Sequence, residues 1–450
     1  MRSVEPTRSG GIVMVGFMLS RTGVGAAVAM VAVVTSSGTA VGQPEAQATW
    51  GPVIDLALSR SISRPDVVVD GSGTTTVVWR TVRAVMAIRQ NADGVWGDPH
   101  RLGRGTAPQA EVDGVGTVTA VWTRTLPGSG PQVMASRRVV GRRWTKPFPV
   151  SAPVASEGSS AHGAFQTDLA VSHDGAVLVS WLWGADDSGA SRVQARYRPA
   201  RHRWHRIVTL SPVEARSPVS AAGDDGRAVV VYTVFARAYA FRRTAEGWTR
   251  PQEIGRHVEP PQVAMDDAGD VAVVWGALET DGIFRPQAVT RRTGDGWTEP
   301  HTLDPSLAES GASPPSVAIG PRGHTTAAWI GSAGRVEVAD HPVNGSWSDV
   351  TQVAPAGDPL EATPPDVDVT AGRSGAVLLS WTRRETPSRV IEAAYRPPHQ
   401  DWQPPARVSP EDIDATAPEA FVAVDGRAVE AWRGYDATRG AHLQLRKLRP

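Results

Sequence analysis

The chain has 450 residues with 46 basic and 46 acidic side chains and a formal charge of zero, so its charge balance points neither to nucleic acid nor to an acidic membrane surface as partner. It contains no cysteine, which excludes a disulfide framework, a thiolate metal site and a lipidated N-terminal cysteine.

The apolar run at 24–34 follows Arg21 and leads into small residues at Ala40 and Gly42, the anatomy of a secretory signal peptide cut before Gln43. Eleven apolar residues are too few to cross about 30 Å of hydrocarbon. The expectation is a secreted, extracellular protein with residues 43–450 as one domain. It is expected to be a monomer with a glycan or protein ligand, no integral membrane segment after cleavage and no cofactor.

From Trp50 onward two signatures alternate. Gly followed six residues later by Trp occurs at Gly73/Trp79, Gly116/Trp122, Gly175/Trp181, Gly269/Trp275, Gly323/Trp329, Gly375/Trp381 and Gly426/Trp432, with Tyr232 replacing Trp after Gly226. Trp followed six residues later by an aliphatic residue occurs at Trp50, Trp96, Trp144, Trp204, Trp248, Trp297, Trp347 and Trp402. Only Trp183 of the sixteen tryptophans falls outside the two patterns. A repeat of about 50 residues fits propeller blades of four short strands. In the first, Asp66 to Val69 reads as strand one, Thr74 to Trp79 as strand two, Val85 to Arg89 as strand three and Val95 to Leu102 as strand four. Second strands such as Ala228 to Tyr232 are apolar throughout, as expected when both faces are covered. Proline at Pro99, Pro147, Pro251, Pro300 and Pro405 removes a ladder donor from the fourth strand, which suits an outer edge.

The fold class is therefore all-β, a propeller of four-stranded blades starting near residues 65, 108, 167, 218, 261, 315, 365 and 418. The stretch 50–58 has the pattern of a fourth strand with no repeat before it, and the last repeat lacks a fourth strand. Their pairing closes a ring of eight blades; seven blades with unpaired ends is the alternative. Connections on one face are short and marked by glycine. Those on the other, such as 151–166 and 182–192, are long and irregular, which predicts binding on the long-loop face. This pair of loops carries His162, Phe165, Asp186 and Asp187, with Trp183 beside them as a candidate for ligand stacking or for covering its own loop.

Polar groups recur where the first strands open, at Asp66, Gln109, Asp168, Gln262, Ser316, Asp366 and Glu419. They form either a polar ring at the channel mouth or ordinary solvated strand ends. Ring closure gathers Asp66, Asp366 and Glu419 with Arg80, Arg383, Arg433 and Tyr435, a set that offers acids, cations and a nucleophile to an acidic sugar. The competing reading pairs Asp66 with Arg80 and Glu419 with Arg433 as cross-strand ion pairs. No cluster has the spacing of a calcium loop or a zinc site.

The hairpin carrying Arg89, Asp93-Gly94, Trp96, Pro99 and Leu102 resembles the Asp-box hairpin of sialidase-like propellers, and Thr293 to Trp297 repeats the likeness. The resemblance extends over most of the mature chain as a degenerate repeat. It implies a propeller and, as one expectation, a glycoside hydrolase whose arginine triad, tyrosine and acid fall loosely on Arg80, Arg383, Arg433, Tyr435 and Asp66. The leading expectation is a binding module for a glycan or cell-surface component, with hydrolase and structural envelope protein as alternatives.

Overall fold

The computed structural model describes residues 48–91, 93–125, 129–153, 162–185, 191–307, 311–357, 367–386 and 388–449. The expected signal peptide, Asp186, Asp187 and Asp366 lie outside these residues. The remainder is an eight-bladed β-propeller of antiparallel sheets, each built from four successive strand positions. Among the described residues, no helix is long and apolar enough to cross a membrane.

The glycine signature is a turn requirement. All eight signature glycines hold φ between +77° and +92°, a left-handed conformation that glycine adopts without a Cβ penalty. In blade one the Gly73 N–H donates to the Asp70 carbonyl over 2.8 Å, while Asp70 Oδ1 accepts the N–H groups of Ser72 and Thr74, both at 3.0 Å. The chain thus reverses between Asp66–Val69 and Thr75–Arg80 with its turn donors satisfied. Five residues into each second strand comes the ladder aromatic. The seven ladder tryptophans and Tyr232 are each less than 2% exposed and pack between neighbouring blades. Each buried ring removes about 150–250 Å² from water, worth about 4–6 kcal/mol before entropy is subtracted.

The second-signature tryptophans are half-buried near the outer edge. Fourth strands there shrink to pairs of residues such as Phe148–Pro149 and His301–Thr302, as the missing proline donors require. Blade eight is composite. Thr49–Trp50 and Ile54–Ser59 both pair antiparallel with Gly440–Arg449, putting Trp50 opposite Leu448 and Ile54 opposite Leu445. The first strands of successive blades touch in an unbroken cycle around the axis, so eight blades, not seven, complete the ring.

Candidate functional sites

The register places one residue of each first strand opposite the residue before the ladder aromatic. These are Asp66, Gln109, Asp168, Val219, Gln262, Ser316, Asp368 and Glu419. Asp368 occupies the place expected for Asp366. It stands seven residues before Gly375, the spacing found in the other seven blades, so the signal was in the sequence. Innermost strands have a free edge whose N–H groups need acceptors, and this ring supplies some of them across blade boundaries. Asp66 Oδ2 accepts from Ala110 N–H at 2.8 Å, Asp168 Oδ2 from Ser220 N–H at 2.6 Å, and Asp368 Oδ2 from Ala420 N–H at 3.2 Å. Ser316 Oγ does the same for Val369 N–H at 3.2 Å. The polar ring is therefore a set of latches between adjacent blades.

The latches concentrate acid. Asp66, Asp168, Asp368 and Glu419 are joined by Glu111, two residues beyond Gln109 on the same strand face, and by Glu430, a fully buried acid in the second strand of blade eight. Burial pushes the Asp66 carboxyl up to about 8, with Glu111 adding to the shift. Glu111 is raised to about 8 by burial and by Asp168 and Glu419. Asp168 is raised to about 7 by burial, against the pull of its Ser220 and Gln109 hydrogen bonds. Glu419 is raised to about 8 by burial, although Arg64 Nε lies 2.9 Å from its Oε2 and favours the charge. Glu430 is fully buried, and burial followed by Asp368 and Glu419 holds it well above the carboxylate range. Its oxygens make no hydrogen bond of normal geometry, and Ser380 is the neighbouring hydroxyl that favours its charged form without meeting that geometry. Asp66, Glu111, Asp168 and Glu419 keep partial exposure, as groups lining a narrow channel do.

The remaining candidates lie elsewhere. Arg80 is exposed, opposite Val85 at the end of its strand, and its backbone N–H donates to Ser63 Oγ; Asp66 faces Val78 instead. Glu419 faces Ala431 and pairs with Arg64, while Arg433 faces Thr416. Both expected cross-strand ion pairs are thus replaced. Glu419 is in regular register from the turn; a bulge beyond it, between Thr416 and Glu419, where Ala417 holds φ +55°, brings Arg433 opposite Thr416. Arg383 lies 2.7 Å from Glu392, which also accepts the Trp381 indole N–H at 3.0 Å. Tyr435 is 47% exposed and faces Asp414, itself held by Arg389 through Nε and Nη2 at 2.9 and 2.6 Å. Trp183 is half-buried against the cluster around Trp181. Gln262 is exposed on its first strand.

A second set of features opens on the face of the short turns. Clefts of about 290–510 Å³ lie at four blade junctions: four/five, eight/one, five/six and one/two. The first three are walled by signature turns and third-to-fourth hairpins, with Gly269, Gly73 and Gly323 at their rims. The largest, between blades one and two, takes Ile88, Trp96 and His100 from one side and Arg138, Arg142 and Trp144 from the other. Such volumes fall in or near the range of small-molecule sites, about 300–1,000 Å³. Loop length, the cue that favoured the opposite face, carries no information about them. Their signal is a set of third-strand cations, Arg89, Arg138, Arg243, Arg291 and Lys447. Among the described residues, no group of three or more histidines or acids is placed to hold a metal ion.

No protein-family model matches the chain, and no curated protein is significantly similar to it. Solved structures share its fold. A lectin from Burkholderia pseudomallei superposes with a TM-score of 0.52 at 15% identity, covering 77% of this chain and 99% of the lectin. An ulvan lyase gives 0.49 at 10% identity over 87% and 95% of the two chains. The intramolecular trans-sialidase of Ruminococcus gnavus gives 0.40 at 11% identity over 77% and 94%. At these identities the likeness is one of fold.

Proposed function

We propose that the protein is an exported carbohydrate-binding propeller that takes saccharide into the clefts between blades on the short-turn face. The observation that carries this reading is repetition: four open clefts recur at blade junctions. Repeated sites on one rigid scaffold suit a repetitive ligand, because simultaneous engagement multiplies weak individual affinities. Half-buried indoles at Trp96 and Trp144 offer flat apolar surface beside polar groups, the combination that sugar rings need. The lectin with the same fold is a precedent by analogy only.

Residues 43–450 applied to a glycan array are expected to give a defined set of saccharide hits. Folded protein that binds none would contradict the proposal. Export is tested separately by N-terminal sequencing of the protein from culture medium, where a start at Gln43 is expected and retention of residues 1–42 would contradict it. A second reading, a glycoside hydrolase in the channel, is favoured by the raised Asp66 and Glu419 carboxyls, since a raised acid can protonate a leaving group. Hydrolysis of a sialoside abolished by Asp66→Asn and Glu419→Gln would establish it.

A further inference from the structure

The clefts share a charge peculiarity. Around the cleft between blades one and two stand Arg89, Arg138, Arg142 and Arg143, with Asp98 the one acid in its lining. Arg89 is paired with Asp70 at 3.2 Å, whereas Arg138, Arg142 and Arg143 have no carboxylate partner among the described residues. Arg138 is half-buried, and burial together with the neighbouring Arg89 pushes its pKa down, against the pull of Asp70, which is already paired with Arg89.

The four/five and eight/one junctions repeat this excess of cations, whereas the five/six cleft sets Asp270 and Asp295 beside Arg291 and Arg292. Arg291 lines both the four/five and the five/six clefts, and its Nε is buried with no hydrogen-bond partner. Arg242 stands beside it, and burial lowers both, with Arg242 adding to the shift at Arg291 against the pull of Asp295 and Asp270, neither of which forms an ion pair with it. In the eight/one cleft Lys447 donates to the Thr75 hydroxyl at 2.8 Å and to the Gln90 side-chain carbonyl, both neutral groups. Half-buried cations that make no direct ion pair are costly, and in a chain neutral overall six carboxyls are gathered around the channel instead.

We propose that these clefts, foremost the one between blades one and two, select anionic saccharides bearing sulfate esters or uronate carboxylates; this rests on reading the clefts as saccharide sites. Arginine matches both anions because its planar fork donates two parallel hydrogen bonds. Trp96 and Trp144 then supply faces for the sugar ring, and Arg142 and Arg143, on an exposed hairpin turned at Gly141 (φ +71°), reach the ligand from outside. A chain of such sugars can bridge neighbouring junctions, since Arg291 belongs to two of them.

Residues 43–450 are titrated with heparin, dextran sulfate, polygalacturonate, neutral dextran and a single-stranded DNA oligonucleotide, at two salt concentrations. Heparin is expected to bind, more weakly at high salt. Binding to dextran sulfate or to polygalacturonate separates sulfate from carboxylate recognition. The double variant Arg142→Ala/Arg143→Ala, both exposed in the fold, is expected to weaken binding tenfold or more with thermal stability unchanged, and Arg291→Ala to lower the number of bound chains. Neutral dextran binding as tightly as heparin, or heparin binding that ignores both variants, overturns the selection of anionic sugar while leaving the saccharide reading standing. Absence of binding to every saccharide removes both. DNA bound as tightly as heparin, with the same dependence on Arg142 and Arg143, overturns the sugar class.

Discussion

At the scale of single residues, the ladder aromatics and Glu430 occupy equally buried positions with opposite consequences. Trp275 is fully buried, and Gly255 approaches so closely that a Cβ there would sit 2.5 Å from the indole. Trp275→Ala is therefore expected to cost about 3–5 kcal/mol, read from urea unfolding, because neighbours this tightly placed cannot collapse into the space. The half-buried Trp297 should cost clearly less by the same measurement. Glu430 is buried with no hydrogen bond of normal geometry and no ion pair, so its neutral isostere removes a burden: Glu430→Gln is expected to match or exceed the parent in melting temperature at pH 8. A large drop would mean that the carboxylate itself is needed. The ladder was legible in the sequence because its spacing repeats in every blade. Glu430 was not, since one acid in one second strand breaks a pattern without replacing it.

At the scale of elements, closure depends on strands from the two ends of the chain. Gly440–Arg449 is flanked on one side by Ala428–Asp436 and on the other by Thr49–Trp50 and Ile54–Ser59. Removing residues 43–60 strips the outer cover from Leu443 and Leu445, both fully buried, and leaves an open strand edge. Calorimetry is expected to show a markedly lower and broader unfolding transition; an unchanged one would mean that the ring does not rely on this seam. The pairing was readable because an orphan fourth strand and an incomplete last repeat complement each other. The bulges that interrupt four of the ladders just outside the channel residues were not. Ala107, Gln166, Ser217 and Ala417 take φ of 47°, 46°, 49° and 55°, and none is the glycine that would announce such a conformation. Glu419 stands on the turn side of its bulge, in the same register as Asp66 and its counterparts, so it faces Ala431 and finds Arg64, two residues short of Arg433.

For the whole molecule, the equal numbers of acids and bases conceal a separation: carboxyls around the channel, unpaired cations in clefts on the short-turn face. The channel carboxyls give the stability a definite pH dependence. Asp66, Glu111 and Glu419 at about 8 and Asp168 at about 7 all stand above the ordinary carboxylate range of about 4. Between those limits the folded protein holds more protons than the unfolded chain, so their contribution is full below about pH 4 and is lost as the pH rises towards 8. Melting temperatures from pH 5 to 9 are expected to fall with rising pH, and a combined Asp66→Asn/Glu419→Gln variant should flatten the slope. A parent profile that rises across this window would contradict the burial of these groups. The contrast in loop length was legible and drew attention to the long-loop face. The clefts were hidden because they form between strands from different repeats, whose juxtaposition only the closed ring creates. The central claim is best tested by a crystal structure of residues 43–450 with a sulfated oligosaccharide. The account predicts the sugar between blades one and two, with its anionic groups on Arg138, Arg142 and Arg143; sugar bound on the long-loop face or in the channel, with these arginines untouched, would contradict it.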